Sequence, residues 1–161
     1  MRETGISDRL NTETAPAHFV VQPSKYVQKM KSVSGRDYDS MRVEYIRGKA
    51  LDDVDREWLQ RNSFSVMKKV AHGLAEMNLK YGLVHGDLHW GNVIATRKGL
   101  KSKVKFIDFE RAAPITGEKR QMSNEFMNAY AITLIAAKSE AERKKLWNFF
   151  LAEYEKKAKE L

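Results

Sequence analysis

Hydrophobic residues in the first third of the chain fall in two short runs, residues 26–33 and 40–46. Both runs are rich in aromatic and β-branched side chains, and residues 34–37 between them read Ser-Gly-Arg-Asp. Such runs are typical of strands, and Gly beside Ser and Asp is typical of a turn. The pattern predicts a β-hairpin.

The middle of the chain, residues 55–81, changes to a helical spacing. Its apolar residues recur every three or four positions, as in an amphipathic helix. Asp52 or Asp53 is placed to cap the start of this helix, and Gly82 to end it. We therefore expect one long helix with a buried face formed by Leu59, Val66, Met67, Val70, Leu74 and Met77.

The last third predicts a second hairpin and two more helices. Residues 93–96 and 103–107 are short apolar runs on either side of a polar turn, and residues 124–159 have helical spacing. Ser139 is placed to cap the second of these helices. The first is expected to bury a face formed by Phe126, Tyr130, Leu134 and Ile135.

Composition narrows the class of protein. The chain has 161 residues, 42% of them hydrophobic, and no cysteine, which predicts one modest domain without disulfides. No apolar run approaches the roughly 20 residues of a membrane helix, and the first residues do not resemble a signal peptide. We expect a cytoplasmic protein, or an effector delivered into a host cell by another route.

The formal net charge of +8 leaves the type of partner open. Lysines concentrate at residues 98–105 and 156–159, and a solvated basic face explains both groups most simply. They are not interleaved with aromatic residues that could stack on bases. Weak nucleic-acid contact and attraction to acidic partners remain alternatives.

Two motifs carry candidate chemistry. Residues 85–92 read His-Gly-Asp-Leu-His-Trp-Gly-Asn, and residues 107–110 read Ile-Asp-Phe-Glu after a second apolar run. Phosphoryl transfer needs a carboxylate near the attacking hydroxyl and oxygen ligands that hold Mg²⁺ across the phosphates. Asp87, Asn92 and Asp108 supply these groups on two loops.

These motifs resemble the catalytic and metal-binding loops of the protein-kinase-like superfamily. The reading His-Gly-Asp, and Glu110 in place of a glycine, are similar to atypical members: aminoglycoside and choline phosphotransferases, RIO kinases and the small KEOPS kinase. The resemblance implies an α+β kinase-like fold. A reduced, β-rich N-lobe with the hinge would cover residues 1–48, and a minimal, mainly helical C-lobe residues 49–161, as one compact unit.

The resemblance also implies roles for individual residues. Asp87 would act as the catalytic base, and Asn92 and Asp108 would hold Mg²⁺ with ATP as the second cofactor. His85 would brace the loop, with direct proton transfer as the alternative. His89 would donate to the γ-phosphate, or simply pack as an ordinary histidine.

The front of the chain resembles the kinase hinge but lacks a Gly-rich phosphate loop. Val43 would be the gatekeeper, and the backbone of Glu44 and Ile46 would bind adenine; an ordinary edge strand is the alternative. No Gly-x-Gly-x-x-Gly segment occurs. Lys29 or Lys31 could grip phosphate in its place, although both would also suit a solvated surface.

Three functions remain open. The short segment after Asp108 resembles minimal kinases and favours an ATP-dependent kinase that acts on protein Ser/Thr. The missing phosphate loop motivates a pseudokinase that works through a partner protein. A small-molecule kinase with an aminoglycoside-like or choline-like acceptor is the third hypothesis.

Overall fold

The structure is a computed structural model that describes residues 23–31, 34–35, 37–43, 46–98 and 101–161. For strand residues 23–31, 37–43, 97–98 and 101–102 it describes the backbone alone. Within these ranges, no helix is both long and apolar enough to cross a membrane.

The predicted front hairpin is confirmed. Strands β1 (Pro23–Lys31) and β2 (Asp37–Val43) pair antiparallel, with Lys31 opposite Asp37. The turn contains Gly35 at φ +78°, a conformation that glycine adopts without steric cost. The prediction placed the end of the second strand at Ile46, whereas β2 ends at Val43.

Two small sheets surround the candidate motifs. In the first, β3 (Lys49–Ala50) pairs with β5 (Val93–Lys98), and β5 pairs with β6 (Lys101–Phe106). In the second, β4 (Leu83–Val84) pairs with β7 (Ala113–Pro114). The hairpin predicted between the two motifs is confirmed as β5 and β6.

The prediction of a single long helix over residues 55–81 is wrong in one respect, because the structure has two helices with a break between them. Helix α1 (Arg56–Arg61) ends at Asn62, and α2 (Ser63–Ala75) begins directly after it. The Asn62 side chain donates to the Trp58 carbonyl at 2.8 Å. Asparagine side chains compete in this way with the helical backbone, and so favour helix ends.

The cap of α1 also differs from the prediction. Asp55, rather than Asp52 or Asp53, accepts a hydrogen bond from the Trp58 backbone N–H at 2.8 Å. At the other end, α2 continues into a π-helical turn, Glu76–Lys80, before Gly82 at φ +64°. The predicted stop at Gly82 is therefore confirmed.

Helices α3 (Lys119–Ala136) and α4 (Glu140–Glu160) complete the fold, and Ser139 caps α4 as predicted. The buried face of α3 is rotated from the predicted one, since Leu134 is exposed. Phe126 and Tyr130 instead pack edge-on against Trp147 of α4. The face of α3 that enters the core consists of Glu125, Ala129, Ile132, Thr133 and Ala136.

The core forms around α2, which packs along α4 and against β6. Val66, Met67, Val70, Leu74 and Met77 of this region are fully buried, as the helical spacing predicts. Leu88, inside the first motif, is also fully buried. The first motif is thus anchored to the core by one of its own side chains.

Candidate active site

The structure brings the two motifs together at the ends of β5 and β6. The Ile107 backbone N–H donates to the Asn92 carbonyl at 3.0 Å, so Asp108 follows directly after a bond to the first motif. Asp108 has φ +61°, which is unusual for a residue other than glycine and is concentrated at functional sites. The pairing of β5 with β6 thus performs the geometric role predicted for it.

His85 is fully buried beneath this junction. Its Nε2 lies 2.9 Å from the Ile107 carbonyl, and its ring centroid lies 4.7 Å from that of Phe109. Burial lowers the pKa of His85, although the charges of Asp108 and Asp87 act to raise it. Because the Ile107 carbonyl oxygen can only accept, Nε2 donates this bond, and the ring joins the first motif to the second.

Glu125 supports the backbone of the first motif, and the sequence reasoning missed it. Its buried carboxylate accepts the backbone N–H of His85 at 2.7 Å and that of Gly86 at 3.2 Å. Burial raises the pKa of Glu125, and these two hydrogen bonds oppose the rise. One sequence pattern could have identified Glu125: it lies in helical register with Ala129 and Ile132, on one face of α3.

Asn92 is oriented so that its amide oxygen is left for a ligand. Its Nδ2 donates to the Asp87 carbonyl at 2.9 Å, and Oδ1 is the remaining ligand atom of the side chain. Asp108 is exposed, and the Glu110 N–H lies 3.5 Å from its Oδ1, the limit for a hydrogen bond. The amide oxygen and the carboxylate are the hard donors that Mg²⁺ prefers.

The described residues contain no group of three or more His, Cys, Asp or Glu placed to hold a metal ion. This donor set does not suit a metal site built wholly from protein ligands. It does suit Mg²⁺, which typically binds one or two carboxylates and completes its shell with water and substrate phosphates. Asn92 and Asp108 therefore fit the ion that the resemblance implies.

His89 precedes a short 3₁₀ turn formed by residues 90–92. Its Nδ1 accepts the Gly91 N–H at 3.0 Å, so a neutral ring carries its proton on Nε2 and has one donor left. Phe109 belongs to the hydrophobic core, and Trp90 packs against it. The remaining donor of His89 is compatible with the predicted phosphate contact, which stays a prediction.

The predicted hinge and phosphate-gripping residues are only partly described. Glu44 lies outside the described residues, and Val43, Lys29 and Lys31 are described by their backbones in β1 and β2. Ile46 is half-buried, and its carbonyl accepts the Gly48 N–H at 2.9 Å. The adenine and phosphate contacts of these five residues stay predictions.

A comparison against protein families agrees with the arrangement of the two motifs. The ABC1 atypical kinase-like domain matches residues 24–154. The chain belongs to this family. The match crosses the lobe boundary predicted at residue 48, and the division into two lobes stays a prediction.

A curated sequence and a solved structure are among the proteins that resemble the chain. A Corynebacterium efficiens protein named serine/threonine-protein kinases drp72 is 28% identical in an alignment over 111 residues that covers 62% of this chain and 21% of that protein. The structure titled WaaP in complex with acyl carrier protein has a TM-score of 0.64 at 17% identity. The alignment covers 96% of this chain and 65% of WaaP.

The chain thus spans about a fifth of the first relative and less than two thirds of the second. At 17% identity, the likeness to WaaP concerns the fold alone. Together with the family match, it identifies the architecture as the α+β fold of the protein-kinase-like superfamily. The predicted superfamily and fold class are confirmed.

Proposed function

We propose that this ABC1-family chain transfers the γ-phosphate of Mg·ATP to a serine or threonine hydroxyl of a protein. The observation that carries the proposal is the bond from the Ile107 N–H to the Asn92 carbonyl. It holds Asp108 beside the loop that contains Asp87. The name of the Corynebacterium efficiens relative supports a protein acceptor.

Each residue has one task in this mechanism. Asp87 accepts the proton of the attacking hydroxyl through its half-exposed carboxylate. Asn92 Oδ1 and the Asp108 carboxylate hold Mg²⁺, which neutralises charge on the phosphates when it is bound. His85 and Glu125 hold the backbone of the loop, and His89 Nε2–H supplies a donor for phosphate.

A thermal-shift titration tests the cofactor part of the proposal. At a ligand concentration near 100 Kd, binding contributes about 2.7 kcal/mol, which raises the Tm of a chain of this length by roughly 5–10 °C. We expect this rise with ATP only when Mg²⁺ is present. Asp108→Ala should abolish it, whereas the matched control Glu155→Ala, on the exposed side of α4, should keep it.

A transfer assay tests the catalytic part. Asp87→Asn should keep the Mg²⁺-dependent Tm rise and lose phosphoryl transfer by roughly 10²- to 10⁴-fold, the usual range for a general base. Equal and small effects of Asp87→Asn and Asp108→Ala would contradict these roles. A Tm rise without transfer to protein would favour a partner-binding pseudokinase or a small-molecule kinase.

A further inference from the structure

Arg111 lies beside the proposed base. Its Nη1 is 3.8 Å from Asp87 Oδ2, and its side chain is 71% exposed while that of Asp87 is 35% exposed. A single contact at this distance, open to solvent, is a weak ion pair. Among the described residues it is the only ion pair that Arg111 makes.

The backbone of Arg111 is held firmly although its side chain is exposed. Gly86 lies so close to the Arg111 carbonyl that a Cβ on Gly86 would be 2.2 Å from the carbonyl oxygen. Two residues on, Ala113 pairs with Val84 in the β4–β7 ladder. The start of the Arg111 side chain therefore has a fixed position relative to the catalytic loop.

The rest of this segment is short and braced. It runs from Asp108 to the start of α3 at Lys119, and Gln121 holds it by accepting the Thr116 N–H at 3.0 Å and donating to the Pro114 carbonyl at 2.9 Å. The Ile115 N–H also donates to the Gly82 carbonyl at 2.8 Å. The surface beside Asp87 is thus built from a fixed segment that carries one exposed guanidinium.

We propose that Arg111 determines acceptor specificity by binding an anionic side chain next to the hydroxyl that receives the phosphate. A guanidinium presents a planar fork of donors that matches carboxylate and phosphate oxygens. When the guanidinium binds the acceptor, it moves away from Asp87. The Asp87 carboxylate can then accept the proton of the hydroxyl. The acceptor is an acidic protein segment with its charge within one arginine side chain of the reacting serine or threonine.

The overall charge of the chain supports the same class of acceptor. A formal net charge of +8 attracts acidic polypeptides and raises their rate of encounter. Arg111 then selects among them at the site. This inference rests on the proposed kinase function, so its test includes a separate measurement of Mg·ATP binding.

The experiment compares three serine peptides that differ only beside the serine: one flanked by aspartates, one by asparagines, and one by phosphoserine. Charge-assisted hydrogen bonds to a guanidinium typically change affinity by roughly ten- to a hundredfold. We expect the KM of the aspartate peptide to be lower than that of the asparagine peptide by this factor. The phosphoserine peptide distinguishes phosphate from carboxylate as the preferred anion.

Arg111→Gln should raise the KM of the aspartate peptide to that of the asparagine peptide, so that the variant no longer distinguishes the two. Arg111→Lys should restore part of the preference. Arg61→Gln, which removes an exposed guanidinium at the end of α1, should leave the preference intact. A purely structural role for Arg111 would instead lower transfer to all peptides equally.

The inference is overturned if the wild type treats the aspartate and asparagine peptides alike. It is also overturned if Arg111→Gln lowers both to the same extent, or if a protein that binds Mg·ATP phosphorylates none of the three peptides. If the kinase proposal itself fails, the result is different: the wild type then shows no Mg²⁺-dependent rise in Tm with ATP.

Discussion

Replacement of Gly86 by alanine should disrupt the contact between the catalytic loop and the segment that carries Arg111. Gly86 has φ +79°, and an added Cβ would lie 2.2 Å from the Arg111 carbonyl oxygen and 2.9 Å from its carbonyl carbon. Both neighbours are backbone atoms, so no side chain can rotate away to relieve the overlap. One of the two segments must move.

Gly82 offers a matched control for the backbone conformation. It has φ +64°, and a Cβ there would have nothing within 4 Å. Placing alanine in a left-handed conformation costs about 1–2 kcal/mol. The loss of glycine flexibility in the unfolded chain offsets roughly 0.4–1 kcal/mol of that, so Gly82→Ala should destabilise by no more than about 1.5 kcal/mol.

Gly86→Ala has the same conformational cost and adds the overlap. Forcing extra atoms into a packed site typically costs about 1–3 kcal/mol, which gives a total of roughly 2–4 kcal/mol. For a chain of this length, 1 kcal/mol corresponds to about 2–4 °C in Tm. The Tm should therefore fall by roughly 5–15 °C for Gly86→Ala and by at most about 6 °C for Gly82→Ala.

Urea unfolding followed by tryptophan fluorescence and far-UV circular dichroism measures both free energies of unfolding. Trp58, Trp90 and Trp147 all contribute to this fluorescence, which therefore reports on global unfolding. The reasoning fails if Gly86→Ala and Gly82→Ala are destabilised equally. It also fails if Gly86→Ala keeps the wild-type stability, because the close approach of the two backbones would then be wrong.

Two further predictions concern buried polar groups. Burial raises the pKa of Glu125 above its ordinary value of 4.5. Protonated Glu125 therefore contributes its full stabilisation below pH 4.5, and this contribution is lost as the pH rises through the folded-state pKa. Because glutamine does not titrate, the free energy of unfolding of the wild type relative to that of Glu125→Gln, measured in urea, should fall as the pH rises from 4.5. A difference that stays constant with pH would refute the shift. Tyr154 donates to Asn78 Oδ1 at 3.1 Å, and the Asn78 amide donates to the Leu83 carbonyl at 2.8 Å. Tyr154→Phe should therefore cost about 1 kcal/mol in unfolding free energy, and no loss would mean that the hydroxyl contributes nothing.

Local patterns in the sequence predicted much of this fold. The apolar runs of β1 and β2, and the helical spacing of Val66, Val70 and Leu74, each depend on neighbours in the chain, and the structure agrees with them. The break at Asn62 was missed because the apolar spacing continues through it. Helix α1 ends at Asn62, whose side chain and backbone N–H both donate to the Trp58 carbonyl, and periodicity does not detect this local arrangement.

Long-range contacts explain what the motifs alone did not predict. Asp87, Asn92 and Asp108 could be proposed from the sequence because phosphoryl transfer requires those residue types at that spacing, and their roles stay predictions. Glu125 contacts His85 and was not recognised, since its helical register with Ala129 and Ile132 indicates burial but not which backbone groups the carboxylate contacts. Its position depends on how α3 crosses the end of β4, and the expected face of α3 was rotated from the observed one.

The hydrogen bonds that support the proposed catalytic loop come from residues 51–125, after the predicted hinge. Glu125 holds the backbone at His85 and Gly86, and the Ile107 N–H holds Asn92. Leu88, between them, is buried in the core. None of these supports involves the front hairpin, so the loop that contains the proposed base can assemble without a Gly-rich phosphate loop. We therefore expect that replacing Lys29 and Lys31, the residues predicted to grip phosphate, weakens ATP binding without unfolding the loop.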